Sequence, residues 1–390
     1  MECRVFVRFG LKCGLGTGWA LPYEGLVKAI YTCFHRLPFV IALWAVLLPA
    51  TPARAGEANT NEFKQRFLQL CDLAAPQVEE GARKGANFVD SYEVRALCVA
   101  YDVTSKKEYL DACRAWSERM VADQDKMIPR GAYYMGYHRK PGQSTNAWYV
   151  ADSSSIAMGV LATAVRCEGA EKRRFLNSAK SFAALVMDKY LGPAGGIRNG
   201  LWPKFDGEWW CSSGIFGSLA FLLYDETGDK RYLKAALGAV DWLNALDAEK
   251  DKTYPLSEMG PTYAMYVLEA YSAGISHLKP GTDQRKAALA KIAWYLDWTA
   301  KQQSQPPRER QWPANVRWGM KFGGLPFHQY VHSRVLPDGQ KLAAAADREL
   351  ESLAGIVFAK QPELTQLPAF LMMSYAERLS PGTVYRSTKR

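Results

Sequence analysis

The sequence predicts an all-α protein, an α/α toroid in which helical hairpins close into a ring. Apolar residues recur at helical spacing through most of the chain, and the period-two alternation of β-strands is almost absent. A turn motif also repeats, and long loops separate the helical pairs. About five to six hairpins in an (α/α)6-barrel-like ring would bury one apolar face of each helix within a single domain. An open solenoid of the same hairpins is the alternative architecture.

The repeat is clearest in two stretches, Tyr101–Leu110 and Tyr224–Leu233, which lie 123 residues apart. Both read Tyr-Asp-x-Thr-x-x-Lys-x-Tyr-Leu, and a weaker copy, Gly169–Leu176, lies midway between them. Each copy contains a helix end, a turn and the start of the next helix. The repeating unit is therefore a helical hairpin of roughly 60 residues, including its long loop.

Residues 1–55 are predicted to be a secretory signal peptide with an upstream extension. Leu37–Ala50 is apolar, Arg36 precedes it, and Ala53-Arg54-Ala55 provides a small-x-small cleavage site before Gly56. The apolar stretch is short for a membrane span, so no stable span is expected after cleavage. The sequence thus predicts a secreted or periplasmic protein.

The remaining chain, residues 56–390, is predicted to be the catalytic toroid. Removing the leader takes away six of 49 Lys and Arg residues and two of 39 Asp and Glu residues, leaving a net charge of +6 instead of +10. Basic runs with interleaved aromatics are missing, which argues against nucleic acid, and the mild positive charge suits an anionic ligand. Five cysteines remain at irregular spacing, which favours buried free thiols over a disulfide framework or a zinc site: Cys71, Cys98, Cys113, Cys167 and Cys211.

Eleven helices follow from the apolar spacing. In order, they are marked by Phe63–Leu73, Asp90–Thr104, Tyr109–Met120, a run from Asp152, Phe175–Val186, a run from Ser212, Tyr232–Leu243, Pro261–Ser276, Asp283–Gln302, Leu342–Phe358 and Leu364–Arg378. Three long loops interrupt them, at Lys126–Tyr149, Gly192–Trp210 and Pro306–Gly339. Loops of this length and aromatic content tend to carry function.

In a closed ring these loops join each outer helix to the next inner one, so they gather at one face. Asp90, Asp152 and Ser212 occupy equivalent starts of inner helices, spaced by 62 and 60 residues. The sequence therefore predicts a single mouth that collects carboxylates, aromatic rings and basic groups.

Aromatic residues of the loops offer flat faces on which sugar rings stack, although any single Trp can instead belong to the core. The aromatic candidates are Trp148, Tyr149, Trp202, Trp209, Trp210, Trp312 and Trp318, with Tyr137 beside them. Arg198, Arg317 and His138 are candidates to hold a carboxylate or a sulfate.

Two carboxylates at one mouth suit acid catalysis, because each raises the proton affinity of the other. Asp152 is the candidate acid and Asp90 its partner, while the alternative role for each is to cap its own helix. No metal and no cofactor are expected: His328 and His332 are spaced as i, i+4 but fall in a predicted loop, and neither a phosphate loop nor a Gly-x-Ser-x-Gly elbow is present.

Three segments resemble the unsaturated glucuronyl hydrolases, which form glycoside hydrolase family 88 and are related to family 105. Phe88-Val89-Asp90-Ser91-Tyr92 is similar to their first acidic segment, and Ala151-Asp152-Ser153-Ser154 to their second. Trp209–Leu233 resembles their third inner helix and the turn after it. The resemblance covers most of the mature chain as an order of repeats.

This resemblance implies that Asp152 protonates the C4=C5 double bond of an unsaturated uronic acid and directs water to C5, with Asp90 as its acidic partner. The family usually has an Arg-Gly-Gln run beside the Trp of its third segment, where this chain has Trp209-Trp210-Cys211-Ser212-Ser213. It also has Glu258-Met259-Gly260-Pro261 in place of the usual Asp-Ser start of the next inner helix. The substrate carboxylate therefore needs another cation, for which Arg198 and Arg317 are the candidates.

The leading function is thus a secreted hydrolase of unsaturated uronyl oligosaccharides, whose partner is an anionic oligo- or polysaccharide. A polysaccharide lyase on the same toroid is the alternative enzyme, because β-elimination needs a base and a carboxylate neutraliser. The residue types that it needs are present in Tyr133, Tyr134, Tyr137, His138 and Asn146. A non-catalytic glycan-binding toroid is the third hypothesis.

Overall fold

The computed structural model describes residues 52–81, 86–144, 147–201, 205–251, 261–304, 324–360 and 367–385, and these residues are mostly helical. Twelve helices are present among them: α1 Pro52–Glu80, α2 Asn87–Thr104, α3 Lys107–Gln124, α4 Val150–Ala164, α5 Gly169–Lys189, α6 Trp210–Thr227, α7 Lys230–Ala245, α8 Pro261–Gly274, α9 Asp283–Ser304, α10 Leu325–Ser333, α11 Gly339–Lys360 and α12 Leu367–Leu379. Two short strands, β1 Trp148–Tyr149 and β2 Gly200–Leu201, pair antiparallel. None of the helices in these ranges is both long and apolar enough to span a bilayer.

The predicted leader, residues 1–55, lies almost wholly outside the described residues. Helix α1 begins at Pro52, so the expected cleavage point before Gly56 falls in its first turn. The leader and the domain boundary at residue 56 stay predictions.

The even-numbered helices form an inner ring. Each packs against the next in the order α2, α4, α6, α8, α10 and α12, and α12 packs against α2 to close the circle. The odd-numbered helices lie outside it, and α1 contacts both α12 and α2 across the closure. The predicted closed toroid is therefore confirmed, and the open solenoid is excluded.

Burial patterns explain which helices are inside. In α6 every residue from Trp210 to Leu223 is buried, as expected for a helix that is surrounded by other helices. In α7 the buried residues recur at helical spacing along one face: Tyr232, Ala235, Ala236, Ala239, Val240 and Leu243. The close contact of inner helices also depends on Gly214, where a Cβ would overlap the Tyr266 carbonyl oxygen of α8.

The repeated turn motif has the same geometry in both copies. The Thr104 hydroxyl donates to the Ala100 carbonyl and the Thr227 hydroxyl to the Leu223 carbonyl, each at 2.6 Å. The residue after each threonine, Ser105 or Gly228, is left-handed at φ 59° or 70° and closes the helix end. The repeat in the sequence is thus a repeated C-terminal cap, which turns the chain from an inner helix to an outer one.

The predicted helix starts need correction by two to three residues. Helix α4 begins at Val150 rather than Asp152, and α6 at Trp210 rather than Ser212. The N-cap residues are Ala86, Tyr149 and Trp209, without a side-chain cap. Neither Asp90 nor Asp152 caps its helix, so the capping alternative is wrong for both, and the carboxylates lie inside the first turn.

A helix was also missed. Helix α10 lies within the predicted loop Pro306–Gly339, with Pro326 in its first turn, where the fixed φ of proline favours a helix. His328 and His332 therefore do share a face, and both contact the Ser272 hydroxyl of α8, at 2.8 Å and 2.9 Å. Burial lowers the pKa of His332 to about 3 and that of His328 well below its usual range, so both rings are neutral.

Candidate active site

Asp152 is the third residue of α4 and faces the centre of the ring. Its side chain is half-buried, and its charge acts on Cys211 of α6 and Tyr266 of α8. Withdrawal from water raises the pKa of the Asp152 carboxyl to about 7. Burial alone accounts for this shift, so the raised pKa does not require the second carboxylate that the sequence suggested.

Asp90 lies in the first turn of the neighbouring helix α2. The two helix starts are in contact, because Ser91 and Ser155 share a hydrogen bond of 2.7 Å and both hydroxyls reach the Phe88 carbonyl. Asp90 itself is 7% exposed, and its charge acts on Arg119 of the outer helix α3.

The helical wheel separates Asp90 from the lumen-facing side chains of α2. At about 100° per residue, Asp90 lies about 200° around the helix from Tyr92, whose ring contacts Phe370 of the neighbouring inner helix α12. The pairing of Asp90 with Asp152 in catalysis stays a prediction.

Three of the predicted sugar-contacting residues form a cluster at the mouth. The ring centroids of Tyr137 and Tyr149 are 6.3 Å apart, and His138 lies 4.8 Å from the first and 5.7 Å from the second. Tyr149 is the N-cap of α4, three residues before Asp152. Of the three, His138 is exposed and the two tyrosines are half-buried.

Two predicted sugar platforms are core residues instead. Trp148 is fully buried and packs edge-on against Phe182 and Tyr190. Trp210 is also fully buried and stacks on Tyr263 at 4.2 Å. Both expectations of sugar contact are wrong, because Trp148 fills the space against the outer helix α5, and Trp210 fills the space between the inner helices α6 and α8.

Trp209 and Arg198 remain accessible on the loop between α5 and α6. Trp209 is half-buried, with its ring 5.2 Å from Trp210. Arg198 has 38% of its side chain exposed, and its nearest acidic group is Asp206 at 3.9 Å. The other candidates, Trp202, Trp312, Arg317, Trp318 and Asn146, lie outside the described residues.

Tyr133, a residue type named for the lyase hypothesis, is not available as a base. Its ring is fully buried, and its hydroxyl shares a 2.6 Å hydrogen bond with Ser178 of the outer helix α5. Burial raises the pKa of Tyr133 above its usual range. Tyr134 is half-buried, and its carbonyl accepts a hydrogen bond from the Asn87 side chain.

The sequence analysis missed a polar group deeper in the ring. Tyr92 and Arg95 of α2, Glu269 of α8 and Tyr385 after α12 meet below the level of Asp152. Tyr92 and Arg95 are spaced as i, i+3 on the inner helix α2, and that spacing was the available signal. Across the described ranges, no cluster of three or more His, Cys, Asp or Glu side chains is placed to hold a metal.

Solved structures with the same architecture are unsaturated glucuronyl hydrolases. The enzyme from Bacillus sp. GL1, described as responsible for the degradation of glycosaminoglycan, matches with a TM-score of 0.60 at 13% identity over 84% of this chain and 100% of that one. The enzyme from Streptococcus agalactiae matches with a TM-score of 0.56 at 10% identity over 84% and 94%. No protein-family model matches the chain, and no curated protein is significantly similar in sequence. The chain therefore has the helical toroid of the unsaturated glucuronyl hydrolases, as its short motifs predicted.

Proposed function

We propose that this protein is a glycan hydrolase that removes unsaturated uronyl residues from oligosaccharides. The observation that carries the proposal is the Asp152 carboxyl, which is half-buried at the mouth of a glucuronyl-hydrolase-like ring and has a pKa of about 7. A carboxylic acid with that pKa is partly protonated near neutral pH, as a general acid must be.

The reaction follows from the two states of this one carboxyl. Protonated Asp152 gives its proton to C4 of the C4=C5 double bond, and the ring oxygen stabilises the positive charge that develops at C5. Ionised Asp152 then accepts a proton from the water molecule that adds to C5. The hemiketal formed at C5 then opens: the C5–O5 bond breaks, C5 becomes a ketone and its hydroxyl proton passes to O5. The hemiacetal left at C1 collapses to an aldehyde, the glycosidic bond breaks and the proton of O5 passes to the leaving oxygen. Asp152 is regenerated, and one water molecule is consumed.

Rim residues fit the binding of a sugar chain outside the reacting ring. Tyr137, His138 and Tyr149 form a partly exposed aromatic group beside the start of α4, and Trp209 lies on the next loop. Aromatic faces with a few polar groups are typical of carbohydrate-binding clefts. The predicted leader fits a role in a secreted or periplasmic pathway of glycan degradation.

Ultraviolet absorbance of the unsaturated bond tests the proposal. Incubation with lyase-digested uronate polysaccharides is expected to remove the absorbance, because hydration destroys the double bond. Asp152→Asn is expected to slow that loss about 100- to 10,000-fold, since an amide cannot deliver the proton. Asp297→Asn is the matched control, because Asp297 lies on outer helix α9, where its side chain is 61% exposed.

Other outcomes discriminate between the remaining hypotheses. A rise in absorbance with native polysaccharides would identify a lyase instead. Binding of these glycans with no change in absorbance for either polymer would identify a non-catalytic protein. Equal turnover by Asp152→Asn and the unsubstituted protein would reject Asp152 as the acid, and Asp90→Asn tests the predicted partner in the same assay.

A further inference from the structure

The lumen of the ring contains a buried cation, Arg95, below the level of Asp152. Arg95 is 1% exposed and belongs to the middle of α2. Its guanidinium lies 4.3 Å from the centroid of the Tyr92 ring, 3.7 Å from the Glu269 carboxylate of α8 and 3.9 Å from the Met158 sulfur of α4. Three inner helices therefore direct side chains at one guanidinium.

This guanidinium has few acceptors for its five N–H groups. Nε and Nη2 have no hydrogen-bond partner within the described chain, and the Nη1 contact with Glu269 is longer than a hydrogen bond. Glu269 instead accepts a hydrogen bond from the Tyr385 hydroxyl. Buried donors of a charged group are costly when they lack acceptors, so an acceptor placed here would bind favourably.

A second donor lies beside the first. The Tyr92 hydroxyl is buried without an acceptor in hydrogen-bonding geometry, because the nearby Ser155 hydroxyl makes its short contact with Ser91 instead. Burial raises the pKa of Tyr92 well above its usual range, so the phenol keeps its proton and can only donate when an anion approaches.

The free donors lie on the route inward from Asp152. Tyr266 of α8 is within electrostatic reach of both Asp152 and Glu269. Burial first, and then the charges of Tyr92, Cys211, Asp152 and Glu269, raise its pKa. Tyr266 is half-buried, in contrast to its neighbours on α8, whereas the donor atoms of Arg95 and Tyr92 are fully buried.

We propose that Arg95 and Tyr92 form the subsite that binds the carboxylate of the uronic acid. A planar carboxylate offers two oxygens to Nε and Nη2 of one guanidinium, and the Tyr92 hydroxyl adds a third bond. This inference rests on the proposed function, because a uronate whose C4 meets Asp152 carries its carboxylate on the adjacent carbon, C5. This subsite takes the role of carboxylate binder that the sequence analysis gave to Arg198. Arg198 lies at the rim, where water screens its charge.

Binding of saturated glucuronate and of glucose, measured by saturation-transfer NMR titration, tests the subsite. The two sugars differ in the carboxylate, and neither contains a double bond. The protein is expected to bind glucuronate at least about tenfold more tightly than glucose. Tyr92→Phe keeps the ring against Arg95 and is expected to weaken glucuronate binding about five- to tenfold while glucose binding stays unchanged.

A double variant removes the cation without leaving its buried partner charged. Arg95→Met with Glu269→Gln is expected to abolish the preference for glucuronate, whereas Arg95→Met alone would leave an unpaired buried carboxylate and endanger folding. Arg198→Met is the control and is expected to change glucuronate affinity less than about threefold. Equal affinity for the two sugars, or loss of the preference in Arg198→Met but not in Tyr92→Phe, would overturn the subsite.

The two proposals fail in different ways. Selective glucuronate binding without loss of the unsaturated absorbance would overturn the hydrolase and leave the subsite standing. A second result would overturn the subsite and leave the hydrolase standing. In that result the absorbance is lost, and KM is the same for Tyr92→Phe, for the double variant and for the unsubstituted protein.

Discussion

The two ends of the inner helices differ in the role of their polar side chains. At the end where α2 and α6 finish, threonine hydroxyls, left-handed caps and ion pairs hold the helix ends and join neighbouring hairpins. At the end where α4 and α8 begin, Asp152 has a pKa of about 7 and Tyr266 is half-buried in the lumen. The first end gains stability from its polar groups, and the second holds them in an environment that suits chemistry.

The aspartate of the repeated motif shows the stabilising end most clearly. Asp102 accepts three hydrogen bonds from Arg166, two of 3.1 Å and one of 2.6 Å, and Asp225 contacts His277 at 3.1 Å. In both copies the partner follows the next inner helix of the ring, so each motif ties one hairpin to its neighbour. The matching residues of the repeat therefore have the same structural role in both copies.

The largest effect is expected at this end, on stability. Arg166→Met should lower the free energy of unfolding by about 3 kcal/mol, because the Arg166 side chain is almost fully buried and its removal breaks hydrogen bonds to Asp102 and to the Ala162 carbonyl. Arg231→Met is the control: Arg231 pairs with Asp229 at the surface, and its removal should change the stability far less than the removal of Arg166. Urea unfolding measures both. A kcat that falls with Arg166→Met in the folded enzyme would contradict the separation of the two ends.

A smaller effect is expected at the mouth, and it depends on pH. The pKa of Asp152 is about 7 in the folded chain and about 4 when unfolded, so between these values only the unfolded chain releases the proton. The stability contributed by the protonated group is therefore present below pH 4 and lost as pH rises through 7. Asp152→Asn should be more stable than the unsubstituted protein by about 2 kcal/mol at pH 8 and nearly equal to it at pH 4.

Urea unfolding at the two pH values measures this difference, with Asp297→Asn as a control whose effect should not change with pH. The same acid predicts that hydrolysis declines as pH rises above about 7, because the proton donor is lost. A stability difference that is independent of pH would show that Asp152 is not held in its protonated form by burial.

The smallest effect separates the two copies of the cap. Gly228 and Ser105 both have positive φ, and a Cβ at Gly228 meets nothing within 4 Å, so only backbone strain opposes a side chain there. Gly228→Ala should destabilise the protein by about 1 kcal/mol, and Ser105→Gly should stabilise it by up to about 0.5 kcal/mol. Thermal unfolding checks the opposite signs. Shifts of the same sign would mean that the two caps are not equivalent.

The local sequence pattern was enough to predict the closed ring of helices and the position of the candidate acid, Asp152. Helical spacing and the Tyr-Asp-x-Thr repeat are properties of neighbouring residues, so they predicted the hairpins, the turns and the placement of Asp152 at an inner helix start. The prediction of helices from these patterns failed at α10. Pro326 favoured a loop there, but in the structure it lies in the first turn of the helix. The predicted helix starts were late because no side chain caps them.

Tertiary packing alone decided which of these residues can act. Trp148 and Tyr149 are adjacent in the sequence, yet one is core and the other lies at the mouth, because the pairing of β1 with β2 sets the direction of each ring. The raised pKa of Asp152 and the buried Arg95 donors that lack an acceptor within the described chain arise from packing by helices far away in the chain. Burial is a property of the assembled ring, and residue order does not encode it locally.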